Sequence, residues 1–116
     1  MKTRFTRHYD AQECQNTFAD NLTVMPYDSA DEELAMLSKA LGHPMRVQIV
    51  RLLIGRGKCF CGELCEEIPL AQSTVSQHLK SLKQVGLIVG EADGLRVCYC
   101  INLAQLERLK LLVDAL

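Results

Sequence analysis

The sequence is short of several things, and each shortage narrows what the chain can be. Only three prolines interrupt 116 residues, and no apolar run approaches the ~20 residues that a membrane helix needs. The opening, Met1 to Asp10, is charged and lacks the apolar stretch of a secretory signal, so a cytoplasmic protein with no membrane partner is expected. A glycine-rich phosphate loop, a nucleophile elbow and paired carboxylates in a cleft-like context are all missing, so neither an enzyme nor a small-molecule substrate is expected. Internal repeats and low-complexity tracts are absent as well. What is present is ordinary for a globular domain: 48% hydrophobic and 23% charged residues, enough to build a core and to exclude wholesale disorder. One compact domain suits this length.

Thirteen basic residues against fourteen acidic ones leave a net charge of −1, which by itself does not announce a nucleic-acid partner. Their placement says more. From Lys39 to Lys58 every ionised group is basic (Lys39, Arg46, Arg51, Arg56, Lys58), whereas Glu13 to Glu33 holds six acids and no base. A near-neutral chain can therefore still carry one basic face.

Residues 1–30 are mostly polar and read as a partly flexible arm, with a short helix around Ala11 to Phe18. The folded domain is expected over 31–116. Asp31 is a cap candidate for a first helix with Leu34, Leu37 and Leu41 on one side, ending at Gly42. Pro44 suits the first turn of a second helix, whose stripe is Met45, Ile49, Leu52 and Leu53 and whose end is marked by Gly55 and Gly57. Lys58 to Cys61 reads as a brief strand, Gly62 to Ile68 as a short third helix stopped by Pro69. Ser73 is an N-cap candidate for a fourth helix with Val75, Leu79 and Leu82 inward and Gly86 at its end. Leu87 to Glu91 and Leu95 to Ile101, around Ala92-Asp93-Gly94, read as a hairpin. The order is that of a winged helix-turn-helix: mainly α, with a small β-hairpin wing. The tail, with Leu103, Leu106, Leu109, Leu112 and Leu116, carries more apolar surface than so small a domain covers alone, which predicts a homodimer.

In the fourth helix each residue advances ~100°. With Val75, Leu79 and Leu82 inward, Ser73, Thr74, Gln77, Lys80 and Ser81 point outward, flanked by Ser76 and His78. Small hydroxyls, an amide and a lysine are the side chains that bond base edges and phosphates in a major groove. On an isolated helix such a face would more often be merely solvated. Between a turn and a hairpin it points to double-stranded DNA, with Arg96 at the wing as a weak phosphate contact.

The six cysteines form a pattern: Cys59 and Cys61 in one C-x-C, Cys65 a turn beyond, Cys98 and Cys100 in a second C-x-C, and Cys14 in the arm. In an extended chain residues i and i+2 face the same way, so Cys98 and Cys100 present two sulfurs on one side of the hairpin. Thiolates are soft ligands, suited to Zn(II), Cd(II), Cu(I) and trivalent arsenic or antimony. Cysteines also serve as small buried hydrophobes, and for Cys65 and Cys14 the two roles are evenly balanced. His8, His43 and His78 lack partners at ligand spacing and read as structural or surface residues.

Leu37-Ser38-Lys39-Ala40-Leu41-Gly42-His43-Pro44-Met45-Arg46, Gly62-Glu63-Leu64, Gln72-Ser73-Thr74-Val75-Ser76-Gln77-His78-Leu79, Gly86-Leu87 and the hairpin Gly94 to Tyr99 together resemble the ArsR/SmtB family of metal-sensing transcriptional repressors. The resemblance spans about Leu34 to Leu112. It implies a homodimeric winged helix that leaves operator DNA when a metal or metalloid, or an oxidant or persulfide, engages its thiols. By position it assigns operator contact to Gln72, Ser73, Thr74, Ser76 and Gln77.

The chain departs from the family in two places. Family arsenic and cadmium sensors carry Cys-Val-Cys-Asp-Leu at the start of the third helix; aligned on Gly62-Glu63-Leu64, Cys59 and Cys61 stand one residue early. The paired ligands that zinc-sensing members carry in the final helix have no counterpart, since Asn102, Gln105 and Glu107 stand there. A thiol-rich site for As(III) or Sb(III) is therefore expected, with no cofactor needed for folding. The alternatives are a thiol-redox or persulfide switch, a Cd, Zn or Pb sensor, or a purely structural zinc. If the strand at Lys58 to Cys61 pairs with Val97 to Cys100 and both C-x-C pairs face one side, Cys59, Cys61, Cys98 and Cys100 make a single cluster. The competing site joins Cys59 and Cys61 to Cys65, or to Cys14 from the partner's arm.

Overall fold

A computed structural model describes residues 26–116. The arm helix expected around Ala11 to Phe18, together with Cys14 and His8, lies outside the described residues. Helix α1 spans Ser29–Leu41 and is started by Asp28. The Asp28 carboxylate accepts from the Asp31 N–H (2.8 Å) while the Asp31 carboxylate accepts from the Asp28 N–H (3.2 Å), a reciprocal capping box. Asp31 is thus the third helical residue, not the cap, and the helix begins inside the segment read as arm. Helix α2, Pro44–Arg56, is capped by His43, whose Nδ1 accepts from the Met45 N–H. Strand β1 (Lys58–Phe60), helix α3 (Cys61–Glu67), helix α4 (Gln72–Gln84), strands β2 (Ile88–Asp93) and β3 (Arg96–Ile101), and helix α5 (Leu103–Asp114) complete the order.

The helices enclose one apolar core, in which Leu37, Ile49, Leu53, Leu64, Val75, Leu79, Leu82, Leu87 and Ile88 are all but solvent-free. The three strands are antiparallel in the order β1-β3-β2, so β3 is central. Its inner face, carrying Tyr99 and Ile101, packs on that core. At the hairpin tip the turn is Gly94-Leu95, not Ala92-Asp93-Gly94. Gly94 supplies the positive φ (+66°) that the first position of a two-residue turn requires.

Helix α5 is fastened to the end of α4. Asn102 caps α5 by accepting from the Gln105 N–H, and its amide donates to the Gly86 carbonyl (2.9 Å). The Gln105 amide donates to the Val85 carbonyl (2.8 Å). At the other end of the chain's fold, Arg108 holds Glu33 of α1 through a two-pronged guanidinium–carboxylate pair. Outside these contacts α5 leaves Leu103, Leu111 and Val113 exposed, and Leu116 lies exposed beyond it.

Candidate nucleic-acid interface and thiol sites

Helix α4 divides its residues between core and solvent. Val75, His78, Leu79 and Leu82 are buried, and Gln72, Ser73, Thr74, Ser76, Gln77 and Lys80 are exposed together on the other side. Ser81 is only half-exposed and donates to the Gln77 carbonyl. The residue preceding the helix is Ala71, which has no side-chain acceptor, so Ser73 is not the cap and its hydroxyl stays on the outer face. An uncapped first turn without acidic residues leaves backbone N–H groups and the positive end of the helix dipole available to an anion such as phosphate. Arg96 and a fully exposed Leu95 mark the wing tip.

His78 is the residue of this helix that the sequence misplaces. It is 8% exposed, its ring centroid lies 4.5 Å from that of His43, and its Nδ1 accepts from Arg46 Nε at 3.1 Å. The same guanidinium donates through Nη1 to the Ala40 carbonyl (3.0 Å), so Arg46 ties the end of α1 to α4. The signal was in the period: His78 lies three residues after Val75 and four before Leu82, on the inner stripe.

Burial, then the neighbouring His43 and the Arg46 cation, hold the His78 imidazole below its ordinary value of 6.5. The unfolded chain therefore takes up this proton first as pH falls. The stability contributed by neutral His78 is fully present above pH ~6.5 and declines below it, down to the folded-state pKa. Urea denaturation between about pH 7.5 and 5.5 is expected to show a falling midpoint, and His78→Gln a shallower fall over the same range. Equal slopes in the two proteins would remove His78 as the source.

All five described cysteines are thiols. The β1–β3 register pairs Lys58 with Cys100, Cys59 with Tyr99 and Phe60 with Cys98. Residues directly opposed across antiparallel strands share a face. Cys59 therefore lies on the inner face with Tyr99, whereas Cys98 and Cys100 lie on the outer face. The single four-sulfur cluster expected from the two C-x-C pairs is not formed within the protomer, because its premise of a common face fails at this register. Among the described residues no group of three or more His, Cys, Asp or Glu gathers as a metal set.

The cysteines instead form two separate pairs, with Cys59 apart in the core. Cys59 is 1% exposed, and burial pushes its thiol up against the opposing pull of Arg56. Cys61 opens α3 with Cys65 one turn later, and burial together with the adjacent Cys61 raises the Cys65 thiol. The Cys61 sulfur lies 3.9 Å from the Ser76 hydroxyl on the exposed face of α4. Cys61 also lines a cleft of about 600 Å³ between α3 and the wing, with Glu63, Glu66, Arg96, Val97 and Tyr99 among its walls. At the start of the last helix Asn102 and Gln105 are occupied as structural donors and acceptors.

Comparison with known proteins agrees with this architecture. A family profile described as bacterial regulatory protein, arsR family, matches residues 43–89. The transcriptional regulator CmtR of Mycobacterium tuberculosis is 36% identical over 85 residues, covering 73% of this chain and 71% of its own. YgaV of Escherichia coli, also a helix-turn-helix transcriptional regulator, is 39% identical over 71 residues, covering 61% and 72%. A crystal structure described as a possible transcriptional regulator for arsenical resistance is 30% identical and superposes with a TM-score of 0.63, covering 69% of this chain and 81% of that one. No helix of the described residues is long and apolar enough to cross a membrane.

Proposed function

Because the chain belongs to the ArsR/SmtB family of DNA-binding transcriptional repressors, we propose that it sits on operator DNA as a homodimer and is released when Cys61 and Cys65 bind a soft inducer, As(III) or Sb(III). One observation carries the inducer half of this reading: the Cys61 sulfur is 3.9 Å from Ser76, so a ligand bound at the start of α3 presses on the reading face itself. Cys61 and Cys65 supply two sulfurs one helical turn apart, and the third that a pyramidal As(III) takes comes from Cys14 of the partner subunit. The exposed Leu103, Leu111 and Val113 of α5 support the homodimer, since such a face is covered by a second copy. Gln72, Ser73, Thr74, Ser76, Gln77 and Lys80 of α4, with Arg96 of the wing, are the operator contacts.

The test is operator binding followed by fluorescence anisotropy, with As(III), Cd(II), Zn(II) and peroxide added separately. As(III) is expected to release the wild-type protein and to leave Cys61→Ser and Cys65→Ser bound. Release by peroxide alone would favour a thiol-redox switch using the same residues, and release by Cd(II) or Zn(II) alone a divalent-metal sensor. As(III)-driven release that survives both serine variants would move the site elsewhere. Without inducer, Gln77→Ala and Ser76→Ala are each expected to weaken operator binding by ~1–3 kcal/mol, and Lys80→Ala to flatten the salt slope by about one unit. Normal operator affinity in the Gln77 and Ser76 variants would remove this face as the reader.

A further inference from the structure

The outer face of the wing sheet holds a second pair of thiols that the release mechanism above leaves unused. Cys98 and Cys100 are i and i+2 on β3, so they project to one side from Cα atoms about 6.6 Å apart along the strand. Cys98 is 6% exposed but lies outside the main core cluster, and Cys100 is half-exposed. The neighbours across the ladder complete the setting. Lys58 of β1 stands opposite Cys100, and Glu91 of β2 opposite Cys98. The Cys100 sulfur is 3.9 Å from Glu91 Oε1, and Lys58 Nζ is 3.2 Å from Glu91 Oε2.

From this arrangement we infer that Cys98 and Cys100 form a two-coordinate site for a monovalent soft cation, Cu(I), separate from the thiols of α3. Three features select that chemistry. The donors are two sulfurs, and no group of three or more metal-binding side chains gathers among the described residues, so ions that demand three or four protein ligands are not served here. Thiolates favour Cu(I) among the first-row metals. A Cu(I) ion held by two thiolates carries one net negative charge, and Lys58, shared with Glu91, stands on the same face beside Cys100. Lys58 is the direct cross-strand partner of Cys100, and its ammonium and the Cys100 sulfur both approach the Glu91 carboxylate. Binding is ligand exchange without redox: each thiol yields its proton to solvent as its copper–sulfur bond forms, and the oxidation state of the metal is unchanged.

The site is tested under anaerobic conditions by titrating the full, reduced chain with Cu(I) supplied as its bathocuproine disulfonate complex, whose absorbance reports how much ion the protein withdraws. Relative to wild type, Cys98→Ser/Cys100→Ser is expected to lose one equivalent per protomer, whereas Cys61→Ser/Cys65→Ser keeps that equivalent. Cys100→Ser alone, which leaves the buried Cys98 in place, is expected to lose it too and serves if the double variant does not fold. X-ray absorption on Cys61→Ser/Cys65→Ser loaded with one equivalent is expected to show two sulfur neighbours. An unchanged count in the wing variants would overturn the site. So would its disappearance from Cys61→Ser/Cys65→Ser, or a third sulfur around the metal. None of these readouts involves operator release, so the α3 inducer reading stands or falls separately.

Discussion

Leu82→Ala lowers the stability of the domain by about 2–5 kcal/mol, the range for truncating a fully buried leucine. Leu82 is 0% exposed and lies in the last turns of α4, in the same apolar cluster as Leu37 of α1, Leu53 of α2, Leu64 of α3 and Ile88 of β2. Its isobutyl group is fully enclosed, so truncating it opens a cavity in that cluster. The midpoint of urea denaturation should fall with an unchanged slope at matched protein concentration. For a domain of this size a loss of 2 kcal/mol lowers the melting temperature by roughly 8 °C or more. Ser76→Ala, on the exposed side of the same helix, is expected to stay within about 0.5 kcal/mol of wild type while losing operator affinity. A Leu82→Ala protein with wild-type stability would show that this core collapses around the gap.

Arg46→Ala is expected to cost about 1–3 kcal/mol, because it strips hydrogen-bond donors from two part-buried acceptors at once, the Ala40 carbonyl and His78 Nδ1. It also has a spectroscopic consequence that simple loss of packing lacks. The Arg46 cation is one of the groups that hold the His78 imidazole down, so its removal moves the His78 titration upward, toward 6.5. Following the His78 ring protons by NMR against pH reads this directly. A destabilised variant with an unmoved His78 titration would show that the arginine acts only by filling space.

Much of the architecture is visible in punctuation and period. Pro44, Gly57 and Gly86 bound helices where the chain must turn, and the leucine spacings of α1 and α4 select their inner sides. Helix starts are less legible. Asp28 and Asp31 both belong to one capping box, so acidic residues alone do not say which is the cap. Ser73 has the chemistry of a cap, but the chain enters α4 at Ala71. The adjacency of β1 and β3 follows from the winged-helix order, but their register does not. In a three-residue strand a slip of one residue turns every side chain to the other face, and that parity decides whether four cysteines meet or separate. The Arg46–His78 contact spans 32 positions, and only the folded chain brings its partners together.

The amides of Asn102 and Gln105, clamped on the carbonyls of Gly86 and Val85, couple α5 to α4 almost as a single jointed piece. In a two-fold assembly seamed along α5, the distance between the two reading helices is then set by the angle at which the seam closes. B-form half-sites repeat about every 34–36 Å. A rotation of a few degrees at the seam, multiplied over the length of the coupled helices, is enough to take one reading helix out of step with its groove while the other stays seated.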